Sequence, residues 1–257
     1  MIDIHSHILP GIDDGANSIE ESIEILKQAS RNNVKEIILT PHYILGSDYN
    51  SRYKDNINLL NELKDTLKKE NIDINLYLGN EVFVENNMID LINNEDITTL
   101  NNTRYLLFEL PLNNTYNGLN DLLFELNIKG YKPIIAHPER YSFLKENPSL
   151  IEELVDKGAL FQSNIGSFLG MYGKKTQDLA FLLLRHNVIS FIGSDIHSKN
   201  HTFYDKIEEC KELMRKYITE KEINNIFLNN AEALLNDREL KSKEYIPFKK
   251  NIFGKWK

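Results

Sequence analysis

Short apolar or β-branched runs alternate with longer segments of helical period along the chain, and this alternation restricts the fold more than any other feature. The strand candidates are MIDIHSH, EIILTPH, INLYLGNEV, YLLFEL, KPIIAHPE, ALFQSNIG and VISFIGSDIH. Between them SIEESIEILKQASRNN, RYKDNINLLNELKDTLKKEN, NGLNDLLFELNIKG, PSLIEELVDKG and KTQDLAFLLLRHN read as helices. Strand followed by helix, repeated, calls for a parallel sheet, because parallel neighbours need a long crossover. About seven such strands, with no Pro/Gly/Ser-rich linker and no fixed-period repeat, suit one closed or nearly closed (β/α) barrel. A doubly wound open sheet is the alternative. The first helix carries a start signal: Ser18 as N-cap, Glu21 at capping-box spacing, and Ile19, Ile23 and Leu26 on one face.

The ends of the strand candidates carry the chemistry. Of the seven histidines, His5, His7, His42, His137 and His197 sit there, joined by Asp14, Glu81, Glu109 and Asp195. Side chains two apart on a strand point the same way, so His5 with His7, and Asp195 with His197, can reach one ion. In parallel α/β folds the C-terminal ends of the strands converge on one face. Glu81 and Glu109 each end an apolar run, where an unpaired carboxylate would cost several kcal/mol, and a metal cluster supplies the missing positive charge. His186, near a helix C-terminus in LLLRHN, reads as structural. His201 lies in a polar loop.

Composition excludes several classes. With 257 residues, 41% of them hydrophobic, the chain can bury a core. A net charge of −8 argues against a general nucleic-acid binder. No apolar run approaches the roughly 20 residues of a membrane span, and the first residues lack the pattern of a secretory signal. One cysteine, Cys210, precludes an internal disulfide and suits a reducing compartment. The expectation is a cytoplasmic protein.

The motifs DIHSHILPGIDDGA, TPHY, GNEV, FELP, IIAHPER and GSDIHS occur in this order between Met1 and about His197. Together they resemble the polymerase-and-histidinol-phosphatase (PHP) superfamily, and within it the bacterial manganese-dependent protein-tyrosine phosphatases of capsule and exopolysaccharide operons. The resemblance implies a distorted (β/α)7 TIM-like barrel, a single domain over residues 1–237 followed by a tail. It also implies three divalent ions, manganese by preference, with iron or zinc compatible with the donor set. By position, His5, His7, Glu81 and Asp195 hold the first ion. Glu81, bridging, holds the second with Glu109 and His137; Asp14, His42 and His197 hold the third. Asp13 is an alternative to Asp14, but the family pattern favours the second aspartate. The implied reaction is attack of a metal-activated water on a phosphotyrosine, with Arg140 of HPER gripping the phosphate bidentately or, alternatively, pairing with Glu139. The implied substrate is the tyrosine-rich tail of a membrane-associated bacterial tyrosine autokinase that controls polysaccharide export. Tyr43, Tyr49 and Tyr53 are candidates for lining the substrate entrance, or ordinary surface tyrosines.

Rival chemistries fit less well. A cysteine phosphatase needs C-x5-R, but Arg215 comes one position too early after Cys210, which reads as a half-buried helix residue. GMYGKKT lacks the first glycine of a phosphate-binding loop. Amidohydrolases share H-x-H but need a lysine where Glu109 stands. Histidinol-phosphate hydrolysis and exonuclease action remain as alternatives within the superfamily, and a non-catalytic metal-binding scaffold outside it. Residues 238–257, RELKSKEYIPFKKNIFGKWK, hold seven basic and two acidic residues with Phe248, Phe253 and Trp256 interleaved. That segment reads as a solvated tail, or as a surface docking to an acidic partner, a neighbouring subunit of a homo-oligomer, or a membrane.

Overall fold

The computed structural model describes residues 1–201, 203–240, 244–251, 254 and 256; Phe253 and the side chain of His201 lie outside the described residues. Among the described residues nine short strands, all parallel where they pair, build the centre: β1 (Ile2–Asp3), β2 (Glu36–Leu39), β3 (His42–Tyr43), β4 (Asn75–Leu78), β5 (Glu81–Phe83), β6 (Tyr105–Glu109), β7 (Lys132–Ala136), β8 (Leu160–Asn164) and β9 (Phe191–Gly193). They pair in the orders β1-β2-β4 and β3-β5-β6-β7-β8-β9.

Two interruptions reduce these nine segments to the seven strands expected. EIILTPHY is split where Pro41 has no N–H to donate: Thr40 N–H bonds Ser6 at 2.8 Å, while the Pro41 carbonyl accepts from Glu81 N–H at 3.1 Å. INLYLGNEV is split at Gly79–Asn80, where a Cβ on Gly79 would stand 2.5 Å from a Leu100 methyl. The two ends of the sheet then meet. Ser6 bridges Ile196 in parallel, with His7 N–H donating to Ile196 O and Asp195 N–H to His5 O, both at 2.9 Å. The sheet is therefore a curled, closed, seven-stranded barrel, and the doubly wound alternative is set aside.

Alternation along the strands divides the apolar residues into two clusters. Ile37 and Leu39, Leu106 and Phe108, and Ile135 face outward onto helices through Leu26, Leu63, Leu123 and Leu183. Ile38, Tyr105, Leu107, Ile134 and Phe191 form the other cluster, closed off by Ala231 and Leu234. The helices lie near their expected bounds: Ile19–Arg31, Tyr53–Lys69, Leu119–Ile128, Leu150–Asp156 and Lys174–Arg185. Ser18 caps the first by accepting from Glu21 N–H, but the expected box is not reciprocal. Glu21 Oε2 instead accepts from the backbone and side chain of Asn17.

The segment after residue 237 is anchored at Ile246 and Phe248, while Glu244, Pro247, Lys249 and Lys250 are exposed. The Phe248 ring stacks on His186 at 4.1 Å, and His186 Nδ1–H donates to the Ile246 carbonyl at 2.6 Å. His186 is thus structural. Cys210 is wholly buried rather than half-buried, and burial pushes its thiol far above the usual range.

Candidate metal centre

The second cluster's rows turn from apolar to ligating at the C-terminal end of the strands. Counting every second residue gives Ile38–Thr40–His42, Tyr77–Gly79–Glu81, Tyr105–Leu107–Glu109 and Phe191–Gly193–Asp195. Register adds a direct juxtaposition, His42 opposite Glu81 across β3 and β5. Two contributors adopt the left-handed conformation that non-glycine residues seldom take, His137 at φ 34° and Asp195 at φ 53°. Both follow a strand end, where the turn re-aims the side chain over the barrel mouth.

His5, His7, Glu81 and Asp195 converge most tightly, and all four are buried. Nε2 of His5 lies 3.2 Å from Nε2 of His7, 3.2 Å from Glu81 Oε2 and 3.4 Å from Asp195 Oδ1. Nε2 of His7 lies 3.2 and 3.5 Å from the same two oxygens. Donors around one ion at about 2.1 Å in tetrahedral coordination stand about 3.4 Å apart, which is this spacing. The tautomers are set from behind. His5 Nδ1–H donates to Gln162 Oε1 and His7 Nδ1–H to Asp13 Oδ2, each at 2.7 Å. With both rings neutral, the two Nε2 atoms turn lone pairs toward each other, an arrangement that a cation, or a proton in its place, resolves.

Around this centre the remaining donors form two further groups. His42, Glu81 and Glu109 gather on one side; His42 Nδ1 is 3.1 Å from Glu81 Oε2 and 3.6 Å from Glu109 Oε1. His137 joins them through Nε2, 2.9 Å from Glu81 Oε1 and 3.8 Å from Glu109 Oε2. On the other side Asp14 Oδ1 lies 3.6 Å from His42 Nε2 and 3.5 Å from His197 Nε2. His42 thus presents one ring nitrogen to each group, whereas the resemblance assigned it to the Asp14 group alone.

Residues and chemistry fit divalent cations. Glu81 Oε2 has three imidazole nitrogens at 3.1–3.2 Å, yet it is buried without a hydrogen bond, as are Nδ1 of His42 and Nδ1 of His137. The proximity without hydrogen-bond geometry means that lone pairs face common points. Titration tells the same story. Burial and the neighbouring Glu81 and Asp195 push Glu109 up to about 8. Burial opposes charge on His5, but Glu81 and Asp195 outweigh it and raise the imidazole to about 9. Burial and His7 bring His42 down to about 4. So many carboxylates in one dry pocket require positive charge from protons or from metal.

The structure also distinguishes the paired aspartates. The Asp13 side chain is 0% exposed and accepts from His7 Nδ1, His42 N–H and Gly15 N–H; Asp14, 52% exposed, reaches His42 and His197. Gly15 permits this loop, since a Cβ there would collide with the His7 carbonyl. Arg140, its side chain 28% exposed, donates from Nη1 to Asp195 Oδ2 at 3.1 Å and lies over the Tyr172 ring at 5.1 Å. It does not pair with Glu139, which is buried and accepts from Ser163 Oγ and Asn164 N–H. Asn164 in turn donates to Asp195 Oδ2.

Of the three candidate entrance tyrosines, Tyr49 alone stacks on a site residue, its ring 6.1 Å from that of His42. Tyr43 is 4% exposed and belongs to the core. Tyr53 packs on the core, with its hydroxyl accepting from Asn102. Asp13 as the support of His7, Gln162, Asn164 and Tyr172 went unread in the sequence. The i, i+2 pair Gln162 and Asn164, polar inside an otherwise apolar strand, was the available signal.

The chain matches the family described as capsular polysaccharide synthesis, CpsB/CapC, over residues 1–236. CapC of Staphylococcus aureus is 38% identical over 245 residues, 93% of each chain. Tyrosine-protein phosphatase YwqE of Bacillus subtilis is 35% identical over 264 residues, 99% of each chain. Among solved structures, a chain from the crystal structures of YwqE from Bacillus subtilis and CpsB from Streptococcus pneumoniae, described as unique metal-dependent tyrosine phosphatases, matches with a TM-score of 0.90. The identity there is 34%, over 97% of this chain and 100% of that one.

Proposed function

Since this chain belongs to the CpsB/CapC family of capsular polysaccharide synthesis, we propose that it is a metal-dependent protein-tyrosine phosphatase, acting on the phosphotyrosine tail of a bacterial tyrosine autokinase. One observation supports the reading above the others: Glu81 Oε2 faces three imidazole nitrogens at 3.1–3.2 Å and bonds none of them. In the proposal His5, His7, Glu81 and Asp195 hold one ion. Glu81, Glu109 and His137 hold a second, with Asp14, His42 and His197 around a third. Manganese is the proposed metal, and the mixed imidazole and carboxylate set also suits iron or zinc. When bound, such ions supply Lewis-acid charge to a phosphoryl group and acidify water near neutral pH.

The chain's own residues do the positioning. Asp13 and Gln162 fix His7 and His5 in the tautomer that presents Nε2 to the centre. Asp195 and the Tyr172 face hold the Arg140 guanidinium at the mouth. Its uncommitted N–H groups are then free to grip two phosphoryl oxygens as charge builds in the transition state. A phenol ionises near pH 10, so phenolate leaves without a strong general acid. The proposal places this enzyme, and the kinase tail it acts on, on the cytoplasmic side of the membrane. Among the described residues no helix is long and apolar enough to cross a membrane.

The test is phosphate release from a phosphotyrosine peptide, histidinol phosphate and single-stranded DNA by metal-stripped protein, with and without Mn²⁺. The proposal expects manganese-dependent release from the peptide. Release from histidinol phosphate alone, or release that ignores the metal, contradicts it.

A further inference from the structure

The helix Lys174–Arg185 packs against the Pro138–Arg140 turn, and a groove of about 680 Å³ opens between it and the chain around Lys145. Its cations are Lys145, Lys174, Lys175 and Arg185, set against the carboxylates of Glu146 and Asp178. In a chain of net charge −8 this is a local reversal of sign. The groove borders the turn that carries Arg140. Lys145 Nζ donates to the Arg140 carbonyl at 2.9 Å, and the Tyr172 ring beneath the Arg140 guanidinium precedes Lys174 by a single glycine.

These cations are undercompensated. Lys174 pairs with Asp178 at 2.8 Å on the exposed helix surface, a contact worth little in water. Lys175 is exposed and makes no ion pair among the described residues. Burial, with Arg140 and Lys175 nearby, lowers the Lys145 ammonium. The groove therefore gathers like charge beside the place where Arg140 meets the phosphate. Tyr217, whose ring lies 5.6 Å from the Arg185 guanidinium, and Trp256 add aromatic faces to the lining.

We propose that this groove binds the acidic flank of the phosphotyrosine substrate, as a second anion subsite that reads aspartate or glutamate near the phosphorylated residue. The inference rests on the reading of the chain as a phosphotyrosine phosphatase. The helix has 12 residues and spans about 18 Å at about 1.5 Å per residue. An extended peptide covers that length in about five residues at about 3.3 Å each. The acidic residues read are accordingly within about five positions of the phosphotyrosine, on one side of it.

The test uses the full chain loaded with Mn²⁺ on p-nitrophenyl phosphate and on phosphotyrosine peptides whose flanks carry Glu, Ala or Lys. The Glu peptide is expected to exceed the Ala peptide in kcat/KM by about tenfold at low salt, mainly through KM, with the gap narrowing as salt rises. The double substitution Lys174→Gln/Lys175→Gln removes most of that preference and leaves p-nitrophenyl phosphate turnover unchanged. The double reversal Lys174→Glu/Lys175→Glu shifts preference to the Lys peptide, which a merely structural role would not produce. Equal kcat/KM for Glu and Ala peptides, with normal p-nitrophenyl phosphate turnover, overturns the inference. So does Lys174/Lys175-dependent binding to phosphatidylserine vesicles without any flank preference. Absence of all Mn²⁺-dependent turnover instead sinks the phosphatase reading, and this inference with it.

Discussion

Asparagine at position 13 and alanine at position 14 separate the roles of two adjacent aspartates. The Asp13 carboxylate accepts three N–H groups: His7 Nδ1 at 2.7 Å, and the backbones of His42 and Gly15 at 2.9 Å. Asp13→Ala would strand all three in a largely buried loop. At about 1–3 kcal/mol for each unsatisfied group, the sum is about 3–9 kcal/mol. That is comparable with a whole folding margin of about 5–15 kcal/mol, so the alanine variant would confuse binding with unfolding. Asparagine is the informative change. Its amide oxygen keeps the bonds to His7 and His42, while its NH₂ faces Gly15 N–H and the charge on the His7 bond is lost. Supports behind metal-bound histidines are worth about 10–100-fold in metal affinity, or about 1.4–2.7 kcal/mol. Asp13→Asn is therefore expected to weaken Mn²⁺ binding by that factor and keep the number of ions held at saturation. Asp14→Ala removes an exposed donor, leaves the melting temperature of the metal-free protein nearly unchanged, and lowers the saturated count by one. Equilibrium dialysis at graded free Mn²⁺ with elemental analysis reads both effects. The reasoning is refuted if Asp13→Asn loses an ion at saturation while Asp14→Ala retains the full count.

Arg140→Ala is expected to lower kcat/KM on a phosphotyrosine peptide by about 10²–10³, the cost of one lost transition-state donor group, with metal content unchanged; Arg140→Lys recovers part of it, because one ammonium cannot make the bidentate grip. Gly15→Ala places a methyl against the His7 carbonyl, and calorimetry should show a lower melting temperature together with weaker Mn²⁺ binding. Cys210 is sealed in the core, so Cys210→Ala should leave kcat intact and cost about 1–2 kcal/mol by denaturant unfolding. Inactivation of the native enzyme by a thiol alkylator would contradict that placement.

The parallel barrel was legible because its signal is repeated: five of the seven strand runs are followed by a segment of helical period. The ligating residues were legible for a related reason, since strand ends are recognisable and polar groups there have one face to share. Finer features depend on contacts distant in sequence. Nothing local separates Asp13 from Asp14; the distinction comes from His42, which presents its backbone N–H to one and its imidazole to the other. Tyr43 looks like a rim residue after TPH, yet strand alternation turns it into the core, paired across the strands with Val82. Glu139 follows HP in sequence next to Arg140, but the Pro138–Arg140 turn sends the two side chains to different partners. The docked segment at Ile246–Phe248 has no periodicity to betray it, and its anchor, His186, lies 60 residues away from Ile246.

The central claim is that Glu81 is the hub of a multi-ion centre. The most direct measurement is anomalous diffraction from crystals of the protein grown with Mn²⁺. The account predicts one peak enclosed by His5, His7, Glu81 and Asp195, a second between Glu81 and Glu109, and a third beside Asp14 and His197. A map with manganese peaks elsewhere, and none within bonding distance of the Glu81 carboxylate, would contradict it.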